Sequence, residues 1–206
     1  KGLFREAAYE YEQAVNDAQE GSWVAPALSH CLTYLGEYER AEQMARRAIE
    51  AQEHYLRGHE GMQIIGAYAR LGDVYYQQGR YDDAIAEYYR EIVFARQSDH
   101  VLKERVLIEV YQKLTSAYAR QGSMDDPREA FGHVTAGFAE RLAKGADEPF
   151  TRYYVACAHA MMGDRERGLA AGFHNYLTKP LTPVSFMGDL LRLLVDVPEF
   201  AAALQI

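Results

Sequence analysis

Three glycines, Gly36, Gly79 and Gly122, stand 43 residues apart along the chain, and other positions keep step with them. Leu28, Leu71 and Leu114 share that spacing, as do Tyr75 with Tyr118, Tyr38 with Tyr81, and Ala41 with Ala84. Gly2 precedes Gly36 by 34 residues and Gly163 follows Gly122 by 41, so one unit recurs with variable length at its junctions. A repeat of this size constrains the fold strongly. Each unit is one supersecondary element that cannot bury its own apolar face, and only stacked neighbours complete a core.

The clearest unit is GAYARLGDVYYQQGRYDDAIAEYYREI, residues 66–92. Tyr68, Leu71, Gly72 and Tyr75 fall at i, i+3, i+4 and i+7, one stripe of a helix. Gly79 is expected to end that helix, because glycine reaches positive φ without a Cβ penalty. Tyr81, Ala84, Ile85 and Tyr88 then form a second stripe. Small residues such as Gly72 and Ala84 let the two helices approach, and the aromatics fill the gaps beside them. The prolines agree with helix: Pro26, Pro127 and Pro149 sit at first-turn positions, Pro183 and Pro198 follow capping residues, and Pro180 falls in a loop. None interrupts a long periodic stretch.

These residues make the chain resemble the tetratricopeptide repeat family. Tyr68, Leu71, Gly72, Tyr75, Gly79, Tyr81, Ala84 and Tyr88 match that family's paired patterns. Partial copies are carried by Gly2, Phe4, Ala7, Tyr11 and Ala14; by Leu28, Leu32, Gly36, Tyr38, Ala41, Ala45 and Ala48; by Leu114, Tyr118 and Gly122; and by Gly163 after residues 153–162. The resemblance implies an all-α fold, a right-handed superhelical stack of antiparallel helix pairs (an α-solenoid). The repeat domain is expected over residues 1–172, with a C-terminal helical cap at 173–206 whose apolar face carries Leu190, Leu191, Leu193 and Leu194. The units exceed the usual period of about 34 residues. The extra residues, in QEHYLRGHEGMQ and ARQSDHVLKERV, are expected to lengthen helices.

Charge narrows the partners. Acids outnumber bases 30 to 22, for a net charge of −8. A protein that tracks phosphate backbones needs the opposite excess, so nucleic acid is not expected as a direct partner. No apolar run reaches bilayer length, and no membrane role is expected. Cys31 and Cys157 form no short motif, which suits a reducing compartment and a cytoplasmic location. Residue 1 is Lys and not Met, and the first helix lacks a partner before it. The chain is therefore expected to be part of a longer protein.

Chemistry-bearing motifs are sparse. His54, His59 and Glu60 do not fall into a helical metal-binding pattern, and no metal or cofactor is expected. Cys31 and Cys157 read as small core residues. No phosphate loop, nucleophile elbow or dinucleotide fingerprint is present, so no catalytic residues are assigned and an enzyme is not expected. The stretch GDRERGLAAGFHNYLTKPL also resembles the end of a response-regulator receiver domain, with Lys179 and Pro180 in the places of its Lys-Pro pair. The acids and strands that a receiver needs upstream are replaced here by helical repeats.

In the tetratricopeptide repeat family the first helices of successive units line a concave groove. Carried over by position, the groove residues are His30, Thr33 and Tyr34 in one unit, Asp73, Tyr76 and Gln77 in the next, Gln112, Ser116 and Arg120 in the third, and Tyr153 and Met161 in the last. The Lys and Asn places used by chaperone-tail receptors hold Ala69 and Asp73, and Pro26 and His30 in the unit before, so that clamp is absent. Lys113 and Arg120 are expected to be available to an acidic side chain. The implied function is a scaffold that binds a partner protein or peptide in this groove. The alternative is a regulatory or sensory segment of a larger signalling or transcription-control protein. Self-association through an open end of the stack is a further expectation.

Overall fold

The computed structural model of the protein describes residues 2–17, 24–56, 64–122, 126–146 and 149–162. These residues form eight helices and no strand: α1 Gly2–Asp17, α2 Ala25–Leu35, α3 Tyr38–Leu56, α4 Ala67–Gln77, α5 Tyr81–Gln97, α6 Lys103–Gln121, α7 Asp126–Ala143 and α8 Pro149–Met161. Each helix packs on the next; α2 also packs on α4, and α6 on α8. This is an α-solenoid, with α2–α3, α4–α5 and α6–α7 as successive pairs. The expected cap at 173–206, with Lys179 and Pro180, lies outside the described residues, as does Gly163.

The recurring glycines end the first helices of the pairs. Gly36, Gly79 and Gly122 have φ of 86°, 77° and 89°. After Gly36 the Glu37 N–H donates to the Leu32 carbonyl at 3.0 Å, and after Gly79 the Arg80 N–H donates to the Tyr75 carbonyl at 2.9 Å. These six-to-one bonds satisfy carbonyls that the helix end leaves open, and they turn the chain into the next helix.

The two stripes read from the sequence meet in the core. Tyr68, Leu71, Gly72 and Tyr75 of α4 are buried, as are Ala84 and Tyr88 of α5, while Tyr81 and Ile85 are half-buried. Leu71 and Leu114 are enclosed almost completely; each contributes roughly 1.5–3 kcal/mol by leaving water. A second cluster joins Ala8 and Val15 of α1 to Leu28 and Leu32 of α2 and Val74 of α4.

Gly72 sets the distance between α4 and α5. A Cβ at this position would lie 2.5 Å from Cε1 and 2.7 Å from Cδ1 of the Tyr88 ring. That ring is 1% exposed and its hydroxyl donates to Asp73 Oδ1 at 3.0 Å, so it has nowhere to move. Gly72→Ala is expected to cost about 2 kcal/mol in urea unfolding despite alanine's better helix propensity. An unchanged or raised midpoint would show that the pair does not depend on this close approach.

The extra residues between units enter helix only in part. α3 continues to Leu56 and α6 begins at Lys103, but Ser98–Leu102 is not helical, contrary to the lengthened helix expected through ARQSDHVLKERV. The Ser98 hydroxyl accepts the His100 N–H at 3.0 Å, and His100 Nδ1 accepts the Leu102 N–H at 3.0 Å. Local side-chain acceptors thus take the N–H groups that a continuous helix would use.

Helix α4 has no capping side chain of its own at Gly66. The missing acceptors come from the flanking second helices. Glu91 of α5 accepts the Gly66 N–H at 2.8 Å and the Tyr68 N–H at 3.0 Å. Gln52 of α3 accepts the Ala67 N–H at 2.9 Å and donates to Glu91 Oε2 at 3.2 Å. Both side chains are fully buried. This bridge fixes α4 against α3 and α5, and so fixes the helix at the centre of the groove.

Candidate partner-binding groove

Helices α2, α4, α6 and α8 turn their free faces toward one cavity of about 580 Å³. Nine of the eleven residues carried over from the repeat pattern line it: His30, Thr33, Tyr34, Asp73, Tyr76, Gln77, Gln112, Ser116 and Tyr153. Arg120 is not in its wall; its guanidinium hydrogen-bonds to Tyr76. Met161 closes α8, and its side chain lies outside the described part of the chain.

The floor is an ion-pair network that the groove pattern did not include. Lys113 Nζ lies 2.6 and 2.5 Å from the two oxygens of Asp73 and 3.4 Å from Glu109 Oε1. Arg70 donates to Asp73 at 2.9 Å and to Glu109 at 2.9 Å. Tyr88 donates to Asp73, and Tyr154 hydrogen-bonds to Glu109. α4 and α6 are therefore joined across the groove floor by charged side chains. The expected availability of Lys113 to an acidic ligand is corrected here, because two carboxylates of the chain already hold it. Asp73 likewise has both oxygens engaged.

The pattern had one usable sign of this network. Arg70 and Lys113 occupy equivalent positions, 43 residues apart, and Asp73 and Glu109 lie at i+3 and i−4 from them. Those spacings put opposite charges on one helix face.

Burial and charge act against each other on the floor. Burial pushes the Glu109 carboxyl up, but Lys113 and Arg70 outweigh it and hold the group at about 2. Burial lowers Arg70, and Glu109 and Asp73 more than reverse that. At the rim, burial and then Arg70 lower His30 below the ordinary histidine value, which favours the neutral ring. Tyr153 is pushed up to about 12 by Cys157 and by burial. The rim is aromatic: Phe4 of α1 stacks on Tyr34 at 5.1 Å, and His30 meets Tyr34 edge-on at 4.8 Å.

Burial raises the thiols of both Cys31 and Cys157, opposite to what a reactive thiolate needs. Among the described residues, no group of three or more His, Cys, Asp or Glu side chains is placed to hold a metal ion, and no helix is long and apolar enough to cross a membrane.

No curated protein and no solved structure matches the chain. The tetratricopeptide repeat family model matches residues 27–55 and 65–90. Those segments are α2–α3 and most of α4–α5, the two pairs whose glycine turns and stripes are described above. Repeats of this family are generally protein–protein interaction modules, on a fold that is typically not catalytic. Over those two segments the helix pairs and glycine turns are those of tetratricopeptide repeats.

Proposed function

We propose that the groove lined by α2, α4, α6 and α8 holds a segment of a partner protein, and that the chain is a binding scaffold and not an enzyme. The observation that carries this reading is the convergence of nine pattern-derived residues from four helices on one cavity. Tyrosines and amides dominate its rim, and such side chains offer large contact area with adaptable hydrogen bonding. The net charge of −8 argues against nucleic acid as that partner. The two unpaired cysteines fit a reducing, cytoplasmic setting.

The test is affinity capture from lysate of the source cells, followed by measurement of affinity for the captured protein. Tyr76 and Arg120 are bonded to each other at the groove edge. The Tyr76→Ala/Arg120→Ala double variant is expected to bind that partner about tenfold or more weakly, with an unchanged circular dichroism spectrum. Full affinity in the double variant would remove the groove as the binding surface.

A further inference from the structure

On the floor of the groove, charge is paired and largely buried. The ionised groups of the α4–α6 floor, Arg70, Asp73, Glu109 and Lys113, are two cations and two anions that satisfy one another at 2.5–3.4 Å. Their side chains are only 9–23% exposed. The rim residues reach solvent: Tyr34 is 51% and Tyr153 53% exposed. They come from α2 and α8, the first and last helices of the groove, yet they line the same cavity.

Each rim ring is also braced. Tyr34 is held between Phe4 and His30. Tyr153 meets Tyr154 edge-on at 5.6 Å and hydrogen-bonds to Cys157. Rings fixed before binding lose little conformational entropy when a ligand arrives. A charged ligand side chain reaching the floor would compete with pairs already made, and it would gain little beyond the water it lost.

We propose that the groove selects an uncharged extended segment carrying an aromatic or proline side chain, which stacks between Tyr34 and Tyr153. This rests on the reading of the groove as the partner site. The paired charges of the floor argue against both acidic and basic tails, and Arg105, the further cation in the lining, is engaged as well. Recognition is by ring contact and by hydrogen bonds to the ligand backbone, with Gln77 and Gln112 as the amide side chains that face it.

The probes are three pools of fluorescent peptides of equal length: uncharged peptides rich in Tyr, Phe, Pro and Gln; acidic peptides; and basic peptides. Each is titrated against the full chain by anisotropy. The uncharged pool is expected to bind most tightly and to change less than about twofold between about 0.1 M and about 1 M salt. Tyr34→Ala/Tyr153→Ala is expected to weaken it by about tenfold or more, and Tyr9→Ala, exposed on α1, to leave it unchanged. Tighter binding of a charged pool that fades with salt, still weakened by the Tyr34/Tyr153 variant, overturns this inference and leaves the groove as the partner site. Binding that the Tyr34/Tyr153 and Tyr76/Arg120 variants both leave intact overturns the groove reading as well. No binding by any pool also overturns the inference, and leaves the groove to folded partner surfaces.

Discussion

Glu91→Ala is expected to lower the unfolding free energy by about 4 kcal/mol. The carboxylate is fully buried and accepts hydrogen bonds from Gly66 N–H, Tyr68 N–H and Gln52 Nε2. Alanine leaves those donors without an acceptor at a helix N-terminus, where no local capping side chain can replace it. The readouts are urea unfolding and amide exchange, which should accelerate at Gly66 and Tyr68. Glu91→Gln is expected to cost about half as much. It keeps one oxygen but turns an amide NH₂ toward one of the backbone donors. It also sheds a penalty: burial pushes the Glu91 carboxyl up, against the hydrogen bonds from Gln52 and the α4 N–H groups. A carboxyl with a raised folded value contributes stability that is lost as pH rises through that value, a pH dependence that glutamine does not have. A Glu91→Ala variant as stable as the parent chain would mean that water takes over the capping.

The helices were legible because their signals are local and repeated. Spacing alone located the turns at Gly36, Gly79 and Gly122, since only a residue at ease with positive φ fits those helix ends. The stripe of Tyr68, Leu71, Gly72 and Tyr75 identified the buried face of α4. The break at Ser98–Leu102 was not legible in the same way. It depends on Ser98 and His100 using their side chains as acceptors, and nothing in the hydrophobic period reports that choice. The Glu91–Gln52 cap was also hidden. Its members lie 39 residues apart and on different helices, and a single acid on an amphipathic helix ordinarily reads as solvent-facing.

The groove was half legible for a related reason. Residues at fixed places on the first helices converge wherever the pairs stack regularly, which is why nine of them meet in one cavity. Which of them remain available to a ligand depends on partners from other helices. Asp73 and Lys113 look alike in the pattern, as polar residues on an open face. In three dimensions they bond to each other across α4 and α6 and pass out of play as contacts for a charged ligand. Tyr34 and Gln77 hold equivalent positions and stay exposed, Tyr34 even with the rings of Phe4 and His30 against it.

Lys113→Met is expected to cost about 3 kcal/mol at pH 7, and the cost is expected to shrink in acid. The substitution keeps an aliphatic stem of similar length but leaves the Asp73 and Glu109 carboxylates to share Arg70 alone. Glu109 makes the pH dependence specific. Its folded value of about 2 lies below the ordinary 4.5, so its contribution is fully present above about pH 4.5 and is lost as pH falls through 2. That depression corresponds to roughly 3 kcal/mol, for a group that is nearly buried. Lys113 is the first of the two cations that produce it. Without Lys113 the Glu109 value rises toward normal, and less stability remains for acid to remove. Urea unfolding of both proteins from about pH 7 to about pH 2 should therefore show the difference between them narrowing below about pH 4.5, where Glu109 takes up its proton in the unfolded chain first. A difference that stays constant across that range would assign the role of Lys113 to the packing of its stem between α4 and α6. The floor of the groove would then be held by contact area, and its charge balance would not shape what the groove accepts.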